Sequence, residues 1–301
     1  MKKLILPLLL SVFAVTNVLA NDSRAEEVLK QAREAVGGER LQKIESIHIN
    51  GQYRRVLGDR QMGGDREISI SLPDKYLVED SMSMGGMGTS MLNTRGLNGE
   101  RTWTSSSGGG GMVIRFGGGG PGGSHLTPEQ MEAAQRRMFQ AEFTRYLMAM
   151  LLQPPSSLQV EFKYAGESDV DDLPVDVVEA TGPDRFSMRL YFDKKTHLPL
   201  LLSYRGPKPR IMTMTRQGGA RPNPEELKKA RDEAEKKMQA EAPAVPEEVD
   251  FFIRLSDHKK VDGVMLPHKL TFLTDTEVSE EFEISKIQVN PQFKADKFEK
   301  H

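Results

Sequence analysis

Most of the chain alternates between apolar and polar residues with a period of two. From Ser46 to about Val56, Ile47, Ile49 and Tyr53 fall on one face, and His48, Asn50, Gln52 and Arg54 on the other. That is the mark of a half-buried strand. Ile68, Ile70 and Leu72 alternate with Glu67, Ser69 and Ser71, and Tyr76, Val78, Met82 and Met84 share a face with Asp80. Pro73-Asp74, Gly85-Gly86 and Asn98-Gly99 punctuate these runs as turns, the last a tight hairpin turn before Trp103. Further strands are predicted over 158–164, 175–180, 186–192, 198–204, 251–257, 264–273 and 278–289. Asp262-Gly263 is a strong hairpin signal between two of them. In the last strand the apolar parity switches between Phe282/Ile284 and Ile287/Val289, which predicts a β-bulge near Ser285. No strand–helix–strand alternation occurs. The pattern therefore predicts an α+β, mainly β chain with an antiparallel sheet of roughly ten strands, one face apolar and one polar.

Two stretches break into helical period. Over 128–153, Phe139, Phe143, Tyr146, Leu147, Met150 and Leu151 recur on one stripe. Thr127 is a good N-cap, Pro128 suits the first helical position, Gln130 completes a capping box, and Pro154-Pro155 stops the helix. Nearly everything around it is strand, so it must cover the apolar face of the sheet, either as permanent core or as a lid over a ligand. A shorter N-terminal helix begins at Ser23 as cap, carries the stripe Ala25, Val28, Leu29, Ala32 and Val36, and ends at Gly37-Gly38. Leu41 and Ile44 anchor a short turn after it.

Composition changes the picture at three places. Lys2-Lys3, the apolar run Leu4 to Val15 and Val18-Leu19-Ala20 read as a cleavable secretory signal over 1–20, too short to span a membrane. With no cysteine in the chain there is no lipid-anchored form of that signal, no disulfide and no thiolate chemistry. The remaining 21–301 read as a single exported, periplasmic domain. Its formal net charge goes from −2 to −4 once Lys2 and Lys3 are removed, which offers no electrostatic ground for nucleic-acid binding. Two segments interrupt the sheet pattern: a Gly-rich loop over 105–124, and a charged insertion over 207–246 whose thin stripe of Leu227, Ala230, Ala234 and Met238 marks a solvated surface helix.

Candidate chemistry is sparse. The glycine run is not a phosphate loop, since no Lys-Ser/Thr comes after it. His48, His125, His197, His258, His268 and His301 show no metal-ligand spacing, and no nucleophile–base or paired-carboxylate arrangement stands out. Asp257 and His268 fall nearly opposite each other across the Asp262-Gly263 hairpin, as a rim contact; Asp193 and Asp262 serve turns. The reading is therefore non-enzymatic, with no cofactor. Met82, Met84, Met87 and Met91, with Met212 and Met214 repeating the spacing, offer thioethers that suit Cu(I), a lesser alternative because no histidine or cysteine accompanies them. Methionine equally suits an adaptable apolar ligand surface.

One resemblance sharpens this. Asp193-Lys194-Lys195-Thr196-His197-Leu198-Pro199, Ser256 to Pro267, Glu281-Phe282-Glu283-Ile284 and Val289-Asn290-Pro291 with Phe293, together with Ala35-Val36-Gly37-Gly38, Ile44 and Ile47, come in an order that resembles the outer-membrane lipoprotein-sorting (LolA-like) family. The resemblance implies an unclosed antiparallel β-barrel with helices over its open side and acyl chains held between them. Its partners would be a lipid or acylated protein, with transient contact with membranes or an outer-membrane acceptor. The Gly-rich loop and the charged insertion depart from the compact carriers. The predicted cavity lining is Ile47, Ile49, Tyr53, Ile68, Ile70, Val78, Met82, Met84, Met91, Trp103, Phe139, Phe143, Leu147, Met150 and Leu151. The alternative on the same scaffold is an envelope protein-interaction or stress-sensing module.

Overall fold

The computed structural model describes residues 13–57, 60–84, 89–108, 116–117, 127–208, 210–211, 225, 229, 233 and 247–300, with side chains from Asp22 onward except at a few strand ends. The Gly85-Gly86 turn, most of the Gly-rich loop and most of the charged insertion lie outside the described residues. In chain order the elements are α1 (Phe13–Val36), a 3-10 turn (Gly38–Lys43), β1 (Ser46–Leu57), β2 (Arg60–Ser71), β3 (Lys75–Met84), β4 (Thr89–Asn98), β5 (Arg101–Gly108), β6 (Phe116–Gly117) and α2 (Pro128–Leu151). They continue with β7 (Glu161–Val170), β8 (Leu173–Thr181), β9 (Ser187–Asp193), β10 (Pro199–Pro207), β11 (Arg210–Ile211), β12 (Glu248–Val261), β13 (Val264–Thr274) and β14 (Glu277–Val289).

Twelve strands make one sheet in the order β5-β4-β3-β2-β1-β14-β13-β12-β10-β9-β8-β7, and β6 pairs with β11 in a separate ribbon. The count exceeds the roughly ten strands read from the pattern. Every described pairing is antiparallel, and the sheet is curved but not closed. The first and last long strands, β1 and β14, pair at its middle, so its free edges are β5 and β7. The chain leaves the sheet at one edge and re-enters at the other. The segment that makes the crossing is α2, whose 24 residues rise roughly 36 Å. Topology alone thus lays this helix over the open side.

A bulge sits at the middle of the sheet, where such an irregularity bends the strand. Asn50 pairs with Lys286 but Gly51 with Ile284, leaving Ser285 as the extra residue of a bulge. The Ser285 hydroxyl donates to the Asn50 carbonyl at 3.1 Å. A Cβ at Gly51 would meet the Glu283 carbonyl oxygen at 2.2 Å and the Phe282 ring at 2.8 Å, so only glycine allows the strands to close up here. The Asp262-Gly263 turn is present, with φ of 49° and 86°, as the two-residue hairpin requires.

Ile47, Ile49, Tyr53, Ile68, Ile70 and Val78 point to the inner face and join a single apolar cluster with Val178, Leu190, Phe192, Leu202, Leu270 and Phe282 from the other half of the sheet. The predicted stripe of α1, Ala25, Val28, Leu29, Ala32 and Val36, is buried in the same cluster with Leu41 and Ile44. Ser23 does not begin this helix. The helix runs unbroken from Phe13 through Ala20 and Ser23 to Val36, because the residues before Ser23 propagate it. In α2 the capping box forms as predicted: Gln130 N donates to Thr127 Oγ1 at 3.3 Å and Thr127 N to Gln130 Oε1 at 2.9 Å. The helix ends at Leu151, with Leu152 in the left-handed region (φ 53°), rather than at Gln153. Its last turns are not striped. Thr144, Met148, Ala149 and Leu152 are buried along with the predicted residues, because the trough surrounds this end of the helix.

The outer face carries a second layer. After Asn290, the C-terminal segment folds back across β1–β5. Trp103 Nε1 donates to the Phe298 carbonyl at 3.4 Å, Lys297 Nζ to Glu79 at 2.5 Å, and the Phe293 ring meets His48 edge-on at 6.0 Å.

Candidate functional site

The inner face is not uniformly apolar. Arg66, Asp80, Arg95 and Glu280 hold inward positions, each two residues before an apolar inward neighbour: Ile68, Met82, Leu97 and Phe282. Arg66 is 2% exposed. Its Nε donates to Asp80 Oδ1 at 2.6 Å and its Nη2 to Asp80 Oδ2 at 3.0 Å, a bidentate pair. Its Nη1 reaches Glu280, and its guanidinium lies 4.6 Å from the Tyr53 ring centroid. Arg55 holds the other side of Glu280, with Nε to Oε2 at 2.7 Å. Burial opposes the charge on Asp80, but the Arg66 and Arg95 guanidinia outweigh it and hold its carboxyl down to about 2. Glu280 is likewise lowered despite burial, by Arg66 and Arg55.

This network reaches the crossing helix through Arg95. Arg95 Nη1 donates to Asp80 Oδ2 at 3.3 Å, and its Nη2 to Glu142 Oε1, on α2, at 2.9 Å. The same Glu142 oxygen accepts from Tyr76 Oη at 2.9 Å. Burial and Glu142 push the Tyr76 phenol well above its ordinary value, so it stays a donor. Arg95 and Glu142 are each 26% exposed, so this latch sits at the rim while Arg66 lies below it. Tyr76 also packs against Phe143 and Tyr146, with ring centroids 5.6 and 5.8 Å apart. On the opposite wall, Arg145 of α2 stacks on Tyr204 of β10, and Arg33 of α1 donates to the Leu152 carbonyl at 3.1 Å, countering the helix C-terminus. The crossing helix is held at both walls and at its end.

The predicted lining residues Ile47, Ile49, Tyr53, Ile68, Ile70, Val78, Phe139, Phe143, Leu147, Met150 and Leu151 all belong to the cluster between α2 and the inner face, packed against one another. Met82 and Met91 are buried and stand directly opposite each other across β3 and β4. The side chain of Met84, and Met87, Met212 and Met214, lie outside the described residues. Trp103 is elsewhere: it pairs with Gly96, which pairs with Leu77, and that row faces outward under the C-terminal segment. The hairpin turn falls on Gly99-Glu100, which leaves Trp103 on the other parity from a cavity residue. Sequence reading passed over Arg55, Arg66, Arg95, Glu142 and Glu280. The available signal is a charged residue at inward parity in several strands, as Asp80 shows in β3. Asp193 serves its turn, accepting from the backbone N–H of Lys195 at 2.9 Å and from Thr196 Oγ1 at 2.8 Å. Asp257 pairs with Lys259 at 2.7 Å, and His268 Nδ1 lies 3.0 Å from the Leu266 carbonyl, so the two make no dyad.

No family model and no curated protein matches the chain. Among solved structures it is similar to a LolA superfamily protein from Nitrosomonas europaea, at 11% identity over 92% of this chain and 97% of that one, with a TM-score of 0.44. It is similar also to a DUF1329 family protein from Desulfovibrio piger, at 11% identity over 91% and 97%, TM-score 0.46. A third is an outer membrane lipoprotein-sorting protein domain from Vibrio parahaemolyticus, at 12% identity over 93% and 97%, TM-score 0.46. That the sheet is unclosed follows from its own strand order, in which β5 and β7 are the two edges. No helix among the described residues is long and apolar enough to cross a membrane.

Proposed function

We propose that the protein is an exported, periplasmic and non-enzymatic carrier that holds a lipid or acyl chain between its curved sheet and α2. One observation supports the reading: the helix that spans the open side is fastened to the β3–β4 wall by a partly exposed polar latch, Glu142 to Arg95 and Tyr76, above a floor that is apolar but for the buried Arg66 cluster. An apolar helix fixed as core needs no such latch. Ion pairs recover hydration when they part, so opening at Glu142 costs less than peeling away the same area of interlocked apolar surface. With Glu142 seated on Arg95 and Tyr76, α2 stands in its closed position. On opening, an acyl chain replaces the contacts of Phe143 and Leu147 with the floor, and burial of its surface supplies affinity at about 25 cal/mol per Å².

The test separates ligand retention from folding. Phe143→Ala and Leu147→Ala are expected to lose more co-purified lipid, read by native mass spectrometry of protein taken from its own envelope, than their loss of folding stability explains. Wild-type protein that carries no lipid, or parallel losses of lipid and stability, would return these residues to the core and sink the carrier.

A further inference from the structure

Arg145 differs from the other arginines of the trough. Arg55, Arg66 and Arg95 each hold a carboxylate. Arg145 is partly buried, its Nε is sealed from solvent without a hydrogen-bond acceptor, and no carboxylate pairs with it among the described residues. The nearest acid on its own helix, Glu142, has its Oε1 taken by Arg95 and Tyr76. What Arg145 has is an aromatic seat. Its guanidinium carbon lies 3.6 Å from the Tyr204 ring centroid and 5.7 Å from that of Phe186, and Tyr204 is stacked on Phe251 at 5.0 Å and 13°. Stacking occupies the flat face of a guanidinium and leaves its edge, where every N–H points, for an acceptor. Burial draws its pKa down, with only Tyr204 and Glu142 opposing, but an arginine remains charged. A preorganised, partly desolvated cation with no counter-ion among the described residues is costly to keep and matches a planar or tetrahedral oxyanion.

We propose that Arg145, stacked on Tyr204 beside Phe186, seats the oxyanion end of an amphiphilic ligand whose acyl chain runs beneath α2. The ligand is thus an acyl chain with a carboxylate or phosphate head. The inference rests on the carrier reading and narrows it, since Arg145 lies on the crossing helix and reaches the β10 wall through Tyr204.

The experiment titrates the full-length protein with cis-parinaric acid and, separately, with its uncharged methyl ester, monitoring probe fluorescence. Wild type binds the acid about ten- to a hundredfold more tightly than the ester, the range expected for hydrogen bonds to a charged group. In Arg145→Met that ratio falls to about one, and in Arg145→Lys, which keeps the charge but not the fork, it falls part of the way. Lysophosphatidic acid displaces the bound acid at micromolar concentration, whereas inorganic phosphate at millimolar concentration does not, which places the anion on an acyl chain. Equal binding of acid and ester by wild type, or a preference that survives in Arg145→Met, overturns the inference and leaves the carrier standing. Displacement by inorganic phosphate overturns the link between anion and chain. Failure of wild type to bind either probe overturns both readings. Arg145→Met is expected to melt no lower than wild type, because it removes a partly buried charge that no described carboxylate pairs; a lower melting point together with an unchanged ratio would mark Arg145 as a strut only.

Discussion

At the scale of single residues, the centre of this protein is a set of charges that the apolar pattern hides. Arg66 is held by Asp80 and Glu280 on an inner face that is otherwise mainly apolar. Replacing it by Met would leave two buried carboxylates facing each other, and the expected cost is about 3–5 kcal/mol by denaturant titration. The same geometry predicts an acid limb. Asp80 has a folded-state pKa lowered to about 2 from 3.8. Its contribution is fully present above about pH 4 and is lost as pH falls towards 2, because the unfolded chain takes up the proton first; Glu280, also lowered, acts in the same direction. For Asp80 the effect is about 2 kcal/mol. Unfolding titrations at pH 6 and pH 3 should show wild type losing more stability than Asp80→Asn, and parallel losses would refute the assignment. These charges were hard to find in the sequence for a physical reason. A single Arg or Glu in an alternating strand usually belongs to the solvated face, and only its parity relative to Ile68 or Phe282 gives it away.

At the scale of elements, local chemistry was legible and surroundings were not. The capping box at Thr127, the Asp262-Gly263 turn and the bulge at Ser285 are fixed by a few neighbouring residues, and each stands where the sequence places it. The burial of Met148 and Ala149 and the outward face of Trp103 depend on which strands flank them, and no local pattern encodes that. The latch belongs to this scale because it fastens a whole helix to one wall of the sheet. Glu142→Gln keeps the shape but weakens the charge-assisted bonds to Arg95, worth about 1.5–3 kcal/mol. Amide hydrogen exchange in 139–151 is then expected to quicken by about ten- to a hundredfold while β1 and β14 keep wild-type protection. Faster exchange throughout the sheet would show that the helix and sheet open as one unit, and a lid would no longer describe it.

At the scale of the whole molecule, the sheet separates two layers that the chain builds from different ends. The inner layer is α1 and α2; the outer one is the C-terminal segment, where Phe298 is buried and Glu299 accepts from Asn98 Nδ2 at 2.9 Å. Asn290 marks the junction, its side chain accepting from Glu45 N at 2.8 Å and donating to the Lys43 carbonyl at 2.9 Å. These bonds stitch β14 to the start of β1 independently of the C-terminal segment. If ligand retention belongs to the inner face, the outer layer contributes stability alone. Deleting residues 292–301 uncovers Trp103 and Leu77 and removes Phe293 and Phe298, an expected loss of about 2–4 kcal/mol from the apolar area exposed. At temperatures where the truncated chain remains folded, its binding of cis-parinaric acid should match that of the full chain. A large loss of binding in a folded truncation would mean that the outer layer sets the curvature of the trough, and that the two faces of the sheet act as one device.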